Sequence, residues 1–187
     1  MSSTWIVVIV LAVVLVWFVV TYNGLATLRQ RAAQAFGDID VQLKQRHDLI
    51  PNLVETVKGY AAHEKGTLEA VVQARNAAVA ARDPAQMAQN EAQLQGTLGR
   101  LIALSEAYPD LKANTNFQAL QGELSSIEDK LAAARRFFNN AVAEYNAAIG
   151  SIPAVLFAGA LGFRPQTFFD VGEGARAQLD TAPSVKF

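Results

Sequence analysis

Residues Trp5–Val20 read WIVVIVLAVVLVWFVV, and no side-chain charge precedes Arg29. This run constrains the chain more than any other feature. A soluble core helix keeps one polar face, and this stretch shows none for several turns. With Thr4, Thr21 and Tyr22 it covers about 19 residues, or roughly 29 Å as a helix, just enough for a hydrocarbon layer of about 30 Å. Trp5 stands at one end, and Trp17, Phe18 and Tyr22 at the other. Amphipathic rings favour the two water interfaces, so these four residues are the expected ends of a membrane anchor.

A cleaved signal peptide needs a basic leading region and a small-x-small cleavage site. Ser2, Ser3 and Thr4 are uncharged, and VVTYNGLATL contains no such site. A retained anchor at residues 1–21 is therefore expected. The chain has no cysteine, which excludes a lipoprotein anchor, disulfides, thiol redox chemistry and thiolate metal sites. Arg29, Arg31, Lys44 and Arg46 all follow the run. By the positive-inside bias, this places the N-terminus outside and the body in the cytoplasm.

Behind the anchor, roughly 165 residues remain, enough for one domain with its own core. The formal net charge of −1 argues against a nucleic-acid partner, because phosphate binding needs a concentrated basic surface. Apolar residues recur at threes and fours in four series: Leu25 to Leu43, Leu53 to Val71, Leu94 to Leu104 and Phe117 to Ile149. No stretch alternates with the period of a strand, so the body is expected to be all-α. Asp83-Pro84 reads as an N-cap with proline in the first turn. Tyr108-Pro109 ends a helix, Asn114 or Asn116 can cap the next, and Gly150 and Pro153 end the last. At His47-Asp48-Leu49-Ile50-Pro51, either Asp48 caps a new helix or Pro51 only kinks a very long one. The first option gives helices at about 22–47, 49–82, 84–107 and 116–149, an up-and-down four-helix bundle over residues 22–150 whose last helix returns to the membrane. The second gives three helices, with the last pointing away.

Residues 152–163, IPAVLFAGALGF, are apolar, uncharged and too short to span a bilayer. They open a third region, 151–187, and either meet the membrane interface or cap the bundle core. Ile152, Leu156, Phe157, Leu161, Phe163 and Phe187 are the residues expected at a membrane or assembly interface.

The sequence contains no catalytic, cofactor-binding or metal-binding motif. His47 and His63 are preceded at the relevant spacing by Lys44 and Tyr60, so no di-iron Glu-x-x-His motif exists. His63-Glu64 does not extend to HExxH, and there is no nucleophile elbow or phosphate-binding loop. Gly172-Glu-Gly174 with Arg176 reads as a tail rather than a phosphate cradle. A polar group of Asp38, Asp40, His47, Asp48, Asn52 and Glu55 reads as a helix cap with a solvated face, with a partner site or a pH-sensitive network around His47 as the alternative. In an up-and-down bundle, Asn139, Asn140, Glu144 and Asn146 are expected at the opposite end. Arg135-Arg136-Phe137-Phe138 reads as a flank of the core, with contact to anionic head groups as the alternative.

The block DVQLKQRHDLIPNLVETVKGYAAHE, Asp40 to Glu64, resembles the LemA family of bacterial membrane-anchored proteins. AYPDLKAN from Ala107, ARRFFN from Ala134, Gly162-Phe163, Phe168-Phe169 and PSVKF from Pro183 extend the resemblance over nearly all of the body. It implies a single span in the bacterial cytoplasmic membrane with an outside N-terminus, a cytoplasmic four-helix bundle, and no established enzymatic activity or cofactor. Relatives in magnetosome-forming bacteria are linked to building internal membranes. The reading that follows is a non-enzymatic scaffold that self-assembles on the lipid bilayer as a homo-oligomer. A membrane-tethered adaptor for a partner protein of an envelope-stress or protease complex is the competing reading.

Overall fold

A computed structural model describes residues 3–169. Helix α1 (Ser3–Lys58) is followed by α2 (Lys65–Ala80), α3 (Pro84–Leu104), a 3-10 turn (Ser105–Ala107), a short α4 (Pro109–Lys112) and α5 (Thr115–Gly150). A last 3-10 turn covers Ala154–Leu156. Every regular element among the described residues is helical, as the spacing of apolar residues predicts.

The helix ends follow local chemistry. Asp83 Oδ2 accepts from the backbone N–H groups of Ala85 and Gln86 at 3.1 and 3.2 Å, capping α3 ahead of Pro84. Asn114 Oδ1 accepts from Phe117 N at 2.9 Å and caps α5. The expected end at Gly150 is the observed one.

Of the two readings of residues 47–51, the one in which Pro51 stays inside a very long helix is the observed one. Pro51 lies inside α1, and no helix starts at Asp48. Proline cannot donate to the carbonyl four residues earlier, here His47 O. Arg75 Nε of α2 donates to that oxygen instead, at 3.2 Å. A side chain thus replaces the lost backbone bond, and the helix continues. The break comes at residues 59–64, inside the expected 49–82 helix. Gly59, a poor residue for a helix interior, follows Lys58 there. Asn114 Nδ2 donates to the Tyr60 hydroxyl at 2.9 Å, and the Tyr108 hydroxyl donates to Glu64 at 3.3 Å. These bonds fasten the turn to the α3–α5 connection.

The chain divides into two compact units, one within Met1–Ile39 and Ala134–Phe168, the other within Asp40–Ala133. The second has one continuous core. Leu49, Ile50, Leu53 and Val57 of α1 meet Leu68 and Val71 of α2, Leu94, Leu98 and Leu101 of α3, and Phe117, Leu124 and Ile127 of α5. In the first unit, Leu25 of α1 shares a core with Tyr145 and Ile149 of α5 and with Ala154, Ala158 and Phe163. The end of α5 therefore packs against α1 just past the apolar run. The sequence expected this return from a break at Asp48. The break at 59–64 restores it with α1 intact.

Candidate functional site

The apolar start of α1 is the only stretch among the described residues long and apolar enough to cross a membrane. From Thr4 to Val20 every side chain is exposed. Trp5 and Trp17 are exposed at the two ends of the run. A long apolar helix of this kind fits a membrane anchor.

The segment after α5 folds back onto the inner end of that run. The Phe157 ring lies 5.0 Å from Phe18, and the Phe163 ring lies edge-on to Tyr22 at 5.4 Å. The Arg29 guanidinium sits over the Phe163 ring at 5.1 Å, a cation–π contact. A Schellman motif locks this geometry. Phe163 N donates to Ala158 O at 2.9 Å and Gly162 N to Gly159 O at 3.2 Å, with Gly162 at φ +79°. A side chain at that φ would strain against its own carbonyl, which is why glycine stands there. Beyond the turn, Asn146 grips the Gln166 backbone twice, donating to its carbonyl and accepting from its N–H, each at 2.9 Å.

The expected interface residues are thereby sorted. Phe163 is buried and Phe157 half-buried on α1, while Leu161 is exposed. Ile152 and Leu156 are 85% and 80% exposed, with Val155 beside them, although all three are large and apolar. Phe187 and the Gly172–Arg176 stretch lie outside the described residues.

Tyr145, deep in this core, has its phenol pushed up by burial, against the opposing pull of Arg29 and a bond to the Arg164 backbone. Arg31 pairs with Glu144 at 3.2 Å on the surface. Asp38 is not at the opposite end from the polar group of α5. The Phe36 and Phe138 rings pack at 5.4 Å, so Asp38 on α1 and Asn139 and Asn140 on α5 each lie within about one helical turn of that contact. The cause is the uninterrupted run of α1 alongside the returning α5.

The other unit holds a buried charge cluster that no sequence motif marks. Arg46 is fully buried, and its Nη1 donates to Glu91 Oε2 at 2.9 Å. Its Nη2 lies 2.8 Å from Glu128 Oε1, a close ion-pair contact outside hydrogen-bond alignment. His47 Nε2 meets the other Glu91 oxygen at 2.6 Å. His47 is thus an interior residue facing α3, not part of a cap. Asp38, Asp40, Asp48, Asn52 and Glu55 remain on the solvated face. Asp40 is nonetheless desolvated enough to raise its carboxyl above the usual range. Asp48 and Asn52 line a shallow polar cleft of about 530 Å³ with Glu123, Ser126 and Lys130. The guanidinium fills the space among the carboxylates where a cation would sit, and no group of three ligands among the described residues could hold a metal ion. A sequence signal existed: Ile39, Leu43, Arg46, Ile50, Leu53 and Val57 keep helical spacing, so Arg46 occupies a core position.

Comparison with known proteins agrees with this picture. A family model described as the LemA family matches residues 35–187. The magnetosome protein MamQ of Magnetospirillum gryphiswaldense is 26% identical over 79% of this chain and 64% of its own length. The protein LemA of Metamycoplasma hominis is 27% identical over 74% of this chain and 64% of its own. MamQ 2 of Paramagnetospirillum magneticum is 24% identical over 79% of this chain. The chain thus spans 64% of the length of these curated relatives.

Proposed function

This chain belongs to the LemA family, and on that premise we propose that it is a non-enzymatic scaffold that self-assembles on the bacterial cytoplasmic membrane and organises or remodels it. The observation that carries the reading is the apolar surface beside the anchor. Ile152, Val155 and Leu156 stand exposed on a segment packed against Phe18 and Tyr22 of α1. Large apolar side chains left uncovered on a well-packed segment mark a surface made for lipid or for another chain. Direct continuity of the apolar helix into the folded body supports the reading as well, because α1 has no linker in which motion at the membrane could be lost. The name magnetosome protein, borne by the MamQ relatives, points in the same direction. In this reading the body faces the cytoplasm, and copies meet through helix faces and the segment from residue 152 onward.

Electron cryomicroscopy of membranes carrying the full chain at near-native density tests this. Ordered arrays or reproducible curvature are expected, and deletion of residues 152–187 should abolish them. Flat membranes with dispersed single bodies would refute the scaffold and favour a tethered adaptor, whose partner crosslinking would then identify.

A further inference from the structure

We propose that residues 151–163 are a shallow lipid wedge, inserted into the interface of the bilayer leaflet next to the body, beside the last turn of the anchor. Four observations carry this. The segment's depth is set by its aromatic contacts: Phe157 lies against Phe18, which belongs to the apolar run, and Phe163 lies against Tyr22 one turn further on. A membrane that receives the run up to Val20 meets the segment at the same level.

The second observation is an inverted pattern. The inward face carries Ala154, Ala158 and Phe163, packed on Leu25, Tyr145 and Ile149. The outward face carries Ile152, Val155 and Leu156. A segment meant for water turns polar side chains outward, whereas one apolar on both faces is built for burial or for lipid.

The third is charge: from Tyr145 to Phe163 no side chain is ionisable to a charge at neutral pH, and Arg164 follows at once. The fourth is backbone satisfaction. Irregular backbone survives near hydrocarbon only where its polar groups are paired. The N–H groups from Val155 to Ala158 and from Leu161 to Phe163 all donate within the segment. The Ser151 hydroxyl, the segment's one polar side chain, donates to Ala147 O at 2.7 Å.

The wedge occupies one leaflet only, so it adds cross-section there and favours bending. That consequence deepens the scaffold reading and rests on it, but the insertion itself does not.

The chain contains no cysteine, so single labels can be placed cleanly. Leu156→Cys and Ile152→Cys replace exposed residues, and Glu123→Cys, exposed in the other unit, is the aqueous reference. Each full-length variant carries an environment-sensitive NBD label in vesicles of three parts phosphatidylcholine to one part phosphatidylglycerol. At positions 152 and 156, emission should shift to the blue, quenching by aqueous iodide should fall several-fold below that at position 123, and acyl-brominated lipid should quench. Iodide quenching equal to that at position 123, with no quenching by brominated lipid, would overturn the wedge. So would labels shielded from both quenchers, which would mean a protein contact and leave the scaffold standing. Lipid-quenched labels on dispersed, flat-membrane particles would uphold the wedge and refute the scaffold.

Discussion

Substituting Glu91 tests whether the interior of the Asp40–Ala133 unit depends on its charge cluster. Arg46 is fully buried between Glu91, itself 1% exposed, and Glu128, which is 29% exposed. Glu91→Ala removes the dry partner, bonded at 2.9 Å, and leaves the guanidinium facing only the wetter one. Two charges about 4 Å apart attract by roughly 4 kcal/mol at an effective dielectric of about 20. Breaking one side of a buried pair costs about 3–5 kcal/mol, because the remaining charge stays desolvated. Glu128→Ala keeps the aligned bond to Glu91, removes only an unaligned contact to a partly solvated carboxylate, and should cost about 1 kcal/mol. The tryptophans lie only in the apolar run, so amide hydrogen exchange read by mass spectrometry on α3 peptides is the suitable assay. At about 1.36 kcal/mol per tenfold, Glu91→Ala should speed exchange at Leu94–Leu101 by roughly two to four powers of ten. An acceleration below about tenfold, or one no larger than that of Glu128→Ala, would refute the reasoning. Replacing both charges, Arg46→Met with Glu91→Leu, should return stability close to the parent even though His47 also loses its partner, since apolar replacement of a buried pair is often neutral or better.

Other outcomes follow from particular contacts. Arg75→Met should cost about 1–3 kcal/mol by stranding the His47 carbonyl, and much less in a Pro51→Ala background, where residue 51 supplies its own N–H; additive effects in urea unfolding would argue against this account. Gly162→Ala forces a side chain to φ +79°, at about 1–2 kcal/mol, and should speed exchange at residues 154–163 by roughly 5–30-fold. Asp83→Ala should destabilise the start of α3 by about 1 kcal/mol, visible as faster exchange at Ala85 and Gln86. Burial raises the Tyr145 phenol, so the fold favours its neutral form. That stability is complete below the ordinary phenol range and is lost as pH rises through the elevated value; ultraviolet titration should find Tyr145 ionising late, and Tyr145→Phe should remove that step.

The long apolar helix, the all-α body and most helix ends were legible in the sequence because each is a local property. Hydropathy along one helix, the Asp83-Pro84 cap and the Asn114 cap act within a few residues and need no distant partner. The course of α1 was not legible, because Pro51 has opposite consequences with and without a donor for the His47 carbonyl. That donor, Arg75, stands 28 residues away on another helix.

The same division separates the two candidate regions. Residues 152–163 announce themselves by composition, but which of them face outward was decided by packing: Phe163 is turned in under Arg29 while Leu156 is turned out. Arg46 kept the apolar register of α1 in plain view. Its meaning depended on Glu91 and Glu128, which only the tertiary fold brings to it. Charge in a sequence is a local fact, whereas the free energy of burying it is set by the neighbours that folding supplies.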